Sequence, residues 1–114
     1  MPHLQRFTPH VQSYMESLAN IRRKIDALDA RMVKLLAERA KIAQAVGRIK
    51  GGKGIYRPER EAQVLLGVRQ SASDLSGPLT SDAVVRIFER IIDEARRAER
   101  AAGLLRDGES RDGE

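Results

Sequence analysis

From Tyr14 to Lys50 the sequence runs without a proline, and its apolar residues recur at alternating steps of three and four. They are Leu18, Ile21, Ile25, Leu28, Met32 and Leu35, then Ile42, Val46 and Ile49. This heptad seam predicts one continuous helix. At 1.5 Å per residue it would be roughly 50 Å long. A domain of 114 residues is too small to cover such a rod along its whole length. The seam therefore predicts an all-α fold in which the long helix packs its seam against that of a second copy, a homodimer.

Two shorter helices follow. The second is predicted from Pro58, a proline suited to the first helical position, to about Gln70, with Val64, Leu65 and Val68 on its apolar face. The third is predicted from Thr80 or Ser81, either of which can cap it, with Asp82 in the first turn. Its seam is Val84, Phe88, Ile91, Ala95, Ala98 and Ala102, with Ile92 beside it. The outer face is predicted to hold Arg86, Glu89, Arg90, Asp93, Arg96, Arg97 and Arg100 as a solvated, salt-bridged surface. The chain thus divides into a flexible N-terminus (1–13), a three-helix domain (14–102) and a disordered tail (103–114).

Composition narrows the chemistry. Cysteine is absent, which excludes disulfides, thiolate zinc sites and cysteine nucleophiles. The two histidines, His3 and His10, sit in the N-terminal segment, so neither a histidine triad nor a multi-histidine metal site is expected. No metal or cofactor is called for. Aromatic residues make up 4% of the chain, too few for a single-strand stacking platform. No apolar run reaches membrane-spanning length and no signal-peptide core is evident, so a soluble cytoplasmic protein is expected. The net charge of +5 points to an anionic partner without saying which kind.

Five charged residues fall on apolar faces: Arg39, Lys50, Arg60, Glu61 and Glu99. Burying an unpaired charge is costly, so each needs a reason to be there. Arg39 takes the seam slot between Leu35 and Ile42. Lys50 lies 11 residues on, close to three turns, and points the same way. Ala43 and Gly47 lie between them, which predicts a depression with positive ends, a shape suited to a small dianion. A structural alternative is an ion network in which Arg39 pairs with Glu61 or Glu99 while Lys50 snorkels at a helix end. Arg22, beside seam residue Ile21, is placed at the edge of the dimer interface.

The stretch IRRKIDALDARMVKLLAERAKIAQAVGRIK, followed by YRPEREAQVL and IFERIIDEARRAE, resembles the all-helical chorismate mutases. The wording YRPEREAQVL looks most like the mutase domain of bifunctional mutase–prephenate dehydratases. The resemblance spans about Leu18 to Glu99 and rests on I-D-x-L-D, L-L-A-E-R, V-G-x-x-K and P-E-R-E in order. It implies an intertwined homodimer with two active sites that rearranges chorismate to prephenate on the route to phenylalanine and tyrosine. By motif, it implies that Arg22 reaches into the partner's site and that Arg22 and Arg39 clamp substrate carboxylates. Lys50 would contact the ether oxygen and a carboxylate, and in the Arg60–Glu61 pair the glutamate would bind the ring hydroxyl. Glu99 would face the ether oxygen, where many members carry glutamine. Catalytic roles thus fall to Lys50, Glu99 and Arg39.

The chain departs from the family pattern in three places. Arg57 replaces an aspartate before the proline, Ala95 replaces a serine, and Glu99 replaces the glutamine. Two other functions fit parts of the pattern. One is isochorismate pyruvate lyase on the same scaffold. The other is a basic, non-enzymatic helical dimer binding nucleic acid or a partner helix, which would not explain Arg39 inside the seam.

Overall fold

The computed structural model describes residues 9–50, 54–55 and 58–106. In chain order it contains α1 (Pro9–Ile49), β1 (Gly54–Ile55), α2 (Pro58–Ser73), α3 (Ser81–Ala101) and β2 (Leu105–Arg106). The fold is all-α, with two-residue strands as its only extended pairing among the described residues. The chain divides into two compact units, Met1–Ala37 and Glu38–Glu114.

α1 is one uninterrupted helix of 41 residues. It starts at Pro9, so residues 9–13, expected in a flexible N-terminus, belong to its first turns. A proline at the first helical position loses no hydrogen bond, because that N–H would be unpaired in any helix. In the N-terminal unit Ile21, Ile25, Leu28, Met32 and Leu35 are each at least half exposed. Among all described residues no apolar side chain is fully buried. An uncovered apolar stripe of this kind marks a surface built to be covered.

The C-terminal unit holds the end of α1 together with α2 and α3, which pack on each other. α3 begins as its sequence predicts: the Thr80 hydroxyl accepts a hydrogen bond from the Ala83 amide at 3.0 Å. Arg69 of α2 pairs with Asp82 at the start of α3 at 2.6 Å. This guanidinium, through its hydrogen bond and its charge, holds the Asp82 carboxyl below its ordinary value.

α3 ends in a left-handed turn. Gly103 has φ +74, a conformation that costs a residue with a Cβ. The Gly103 amide donates to the Arg100 carbonyl at 3.0 Å, and the Leu104 amide donates to the Glu99 carbonyl at 2.8 Å. These two bonds are the Schellman pattern, which satisfies carbonyls that a helix end otherwise leaves unpaired. The chain then turns back. Leu105–Arg106 pairs in parallel with Gly54–Ile55, matching Gly54 to Leu105 and Ile55 to Arg106. Residues 103–106, expected in a disordered tail, therefore form an ordered strap. Residues 1–8 and 107–114, also covered by the terminal expectations, and Arg57 lie outside the described residues.

The strap explains a glycine that the sequence pattern assigns elsewhere. Gly47, expected to help form the depression between Arg39 and Lys50, is buried beneath Leu104 instead. A Cβ at Gly47 would lie 2.9 Å from the Leu104 Cβ and 3.2 Å from its carbonyl oxygen. At Gly67 in α2 a Cβ would meet nothing within 4 Å. Alanine in an open helical position is favoured over glycine by up to about 1 kcal/mol. Chemical denaturation should therefore show Gly67→Ala stabilised by about that amount and Gly47→Ala destabilised. A stabilised Gly47→Ala protein would mean that Leu104 does not rest on this glycine.

Candidate active site

Three helices and the strap of the C-terminal unit surround one cavity of about 380 Å³. From α1 come Arg39, Ile42, Ala43 and Val46, with Lys50 just past the helix end. These positions share a helix face because their spacing follows the helical repeat. α2 adds Arg60, Glu61 and Val64. α3 adds Ile92, Ala95, Arg96 and Glu99, and Leu105 of β2 closes the set.

Five expected site residues thus meet in one cavity: Arg39, Lys50, Arg60, Glu61 and Glu99. Ala43 lines it as the spacing predicts, and so does Ala95, which brings no hydroxyl to the wall. Arg22 belongs to the N-terminal unit, where it is exposed on α1. The Lys50 amide continues the helical ladder, donating to the Val46 carbonyl at 3.1 Å. Its side chain therefore extends from the C-terminal end of α1.

Two lining residues escaped the sequence reading. Arg96 was expected on the solvated face of α3, yet it lines the cavity. The signal was present: Ile92, Ala95, Arg96 and Glu99 form an i, i+3, i+4, i+7 stripe. Leu105 carried no such signal, because it reaches the cavity through a turn and a strand pairing rather than through helical periodicity.

The ion pairing brings in a residue outside the network weighed from the sequence, while Arg39 acts electrostatically on Glu99. Glu61 is bonded to Arg96, with Arg96 Nη1 to Glu61 Oε2 at 2.5 Å. The second arm of the same guanidinium reaches Asp93 Oδ1 at 2.7 Å.

Four cations and two carboxylates line the cavity, so its balance is positive even with both acids ionised. The rest of the wall is apolar, from Ile42, Ala43, Val46, Val64, Ile92, Ala95 and Leu105. Glu99 feels both influences. Burial pushes its carboxyl above the ordinary value, while Arg39, then Arg96, then Lys50 pull it down, and burial prevails. Such a site can hold a small dianion beside a carboxyl whose proton is held more tightly than usual.

Comparison with known proteins gives the chain's family. Residues 21–100 match the family model of chorismate mutase type II. The "Bifunctional chorismate mutase/prephenate dehydratase" of Neisseria gonorrhoeae is 41% identical over 90 residues, covering 78% of this chain and 24% of that protein. The protein of the same description from Pseudomonas aeruginosa is 40% identical over 84 residues, covering 68% of this chain and 22% of the relative. The chain therefore spans about a quarter of the length of these bifunctional relatives. A Methanocaldococcus jannaschii protein described as "Chorismate mutase" is 35% identical over 81 residues, 69% of this chain and 80% of its own length. No solved structure matches the chain significantly. The chain belongs to the type II chorismate mutase family.

The cavity predicts an observable titration. In the folded protein Glu99 should titrate above the ordinary carboxyl value, and Arg39→Ala should move it higher, because the strongest lowering charge is lost. Carboxyl chemical shifts followed by NMR against pH test this. A downward move in Arg39→Ala would show that the two groups do not share the cavity.

Proposed function

We propose that the protein is a chorismate mutase that rearranges chorismate to prephenate for phenylalanine and tyrosine synthesis. The observation that carries this reading is the convergence of Arg39, Lys50, Arg60, Arg96, Glu61 and Glu99 on one half-apolar cavity of family-matched sequence. The reaction is pericyclic: one carbon–oxygen bond breaks as one carbon–carbon bond forms. It needs no nucleophile and no net proton transfer. The protein must hold a compact, reactive conformer and stabilise charge separated as the carbon–oxygen bond lengthens.

Each residue has a part in that task. Arg39, with Arg22 from a second copy, clamps the substrate carboxylates through bidentate hydrogen bonds that lysine cannot form. Lys50 donates to the ether oxygen and one carboxylate. Glu61, beside Arg60, accepts from the ring hydroxyl. Glu99, when protonated, is the second donor to the ether oxygen. Inward convergence of the cations favours a small dianion over a phosphate backbone, which an outward basic stripe would serve better.

The homodimer belongs to the same proposal. The exposed stripe Ile21, Ile25, Leu28, Met32 and Leu35 needs a cover, and a self-complementary helix surface supplies one. Among the described residues no helix is long and apolar enough to cross a membrane.

The direct test is incubation of the purified chain with chorismate and, separately, isochorismate. Chorismate should be consumed with appearance of prephenate, while isochorismate should yield little salicylate. Lys50→Ala should remain folded and lose at least about a hundredfold in kcat, the scale for one preorganised donor at a developing oxyanion. Absence of prephenate from the wild-type chain would end the mutase reading.

Shared sites make a separate prediction. Arg22→Ala and Arg39→Ala should each be nearly inactive, and mixing them should restore part of the activity through heterodimers with one intact site. A heterodimer that forms and recovers nothing would refute Arg22 donation between copies.

A further inference from the structure

We infer that Arg96 is a positioning residue: it holds the Glu61 carboxylate in place at the cavity wall, braced from behind by Asp93. This rests on the mutase reading, in which Glu61 receives the substrate's ring hydroxyl.

The geometry carries the inference. Arg96 and Glu61 lie on different helices, α3 and α2, and meet at 2.5 Å with only 18% and 26% of their side chains exposed. A pair this sheltered is less screened than a surface salt bridge. The guanidinium is planar and rigid, so anchoring one arm orients the other. The anchoring arm is the 2.7 Å bond to Asp93, three residues earlier on the same helix. Arg96 is therefore fixed to the frame of α3, and Glu61 is fixed to Arg96. One carboxylate oxygen of Glu61, Oε2, is thereby tied at a defined place on the wall.

Energy favours a positioning role over simple cross-linking. Side chains that bind a substrate in one conformer lose rate when they are free to wander, because misplacement by about 1 Å can cost a hundredfold. A glutamate near the start of α2 has several freely rotating bonds. Arg96 removes that freedom before substrate arrives. It also lines the cavity itself, so its charge adds to the field that attracts a dianion.

A kinetic double-mutant cycle tests this on the full chain, with Arg96→Ala, Glu61→Gln and the double variant. Circular dichroism and thermal melting verify that each is folded. Arg96→Ala should lower kcat/KM at least about tenfold in the wild-type background and have little further effect once Glu61 is glutamine. Arg96→Lys should recover the melting temperature but not the rate, because one ammonium cannot hold Glu61 and Asp93 in a fixed plane. Additive rate losses, or full rescue of the rate by lysine, would overturn the positioning role while leaving the mutase reading intact. A wild-type chain that does not convert chorismate would instead overturn the reading itself, and this role with it.

Discussion

A cation placed in an apolar helix seam must be given partners, because its solvation is lost as the seam is covered. Arg39 is that cation, and much of the C-terminal unit can be understood as the response to it. The seam shrinks to Ala43 beside it, and Glu99 approaches from α3. Lys50 and Arg60 add like charge to the same cavity, which a purely structural ion network would avoid. Glu61 is taken by Arg96. An excess of positive charge therefore remains around an open space. A fold selected for stability alone has no reason to keep it, whereas a fold that binds a small dianion does.

The supporting architecture is sparse. No apolar side chain among the described residues is fully buried, although the conformational entropy cost of ordering a chain this long is large. The exposed stripe on α1 is where a second copy would supply the missing burial in the proposed dimer. Within the C-terminal unit, local devices do the remaining work: the Thr80 cap, the Arg69–Asp82 tie and the Gly103 turn. The last of these also serves the site. The Leu104 amide bonds the Glu99 carbonyl, so the turn that seats Leu104 on Gly47 also fixes the backbone of Glu99.

Helix existence and the inward charges were legible in the sequence because both follow from the 3.6-residue repeat, which needs no tertiary information. Arg39, Lys50, Arg60, Glu61 and Glu99 could each be placed on an apolar face by counting alone. Arg96 was equally countable, one turn beyond Ile92, but it sits in a dense run of arginines that reads as a solvated face. Gly47 and Leu105 were not legible. Their roles depend on a contact between residues 47 and 104 and on a two-residue strand pairing, neither of which leaves a periodic mark. The early start of α1 leaves no apolar periodicity to count: its first residue is Pro9, and a first-turn proline fits a helix start as well as a loop.

The proposed chemistry requires Glu99 to work as a neutral donor in a cationic, half-apolar cavity. The most direct measurement is the pH dependence of kcat/KM for chorismate in the wild-type chain and in Glu99→Gln, between about pH 5 and 9. Protonated Glu99 can donate to the ether oxygen, and ionised Glu99 repels the charge that develops there. Its raised pKa in the free protein sets where the donor is lost as pH rises. The wild-type profile should be highest on the acidic side and fall through that pKa, while Glu99→Gln, which donates at every pH, should stay flat over the same range. A flat wild-type profile, or an equally steep fall in Glu99→Gln, would contradict the account and leave Glu99 as a structural partner of the cavity's cations.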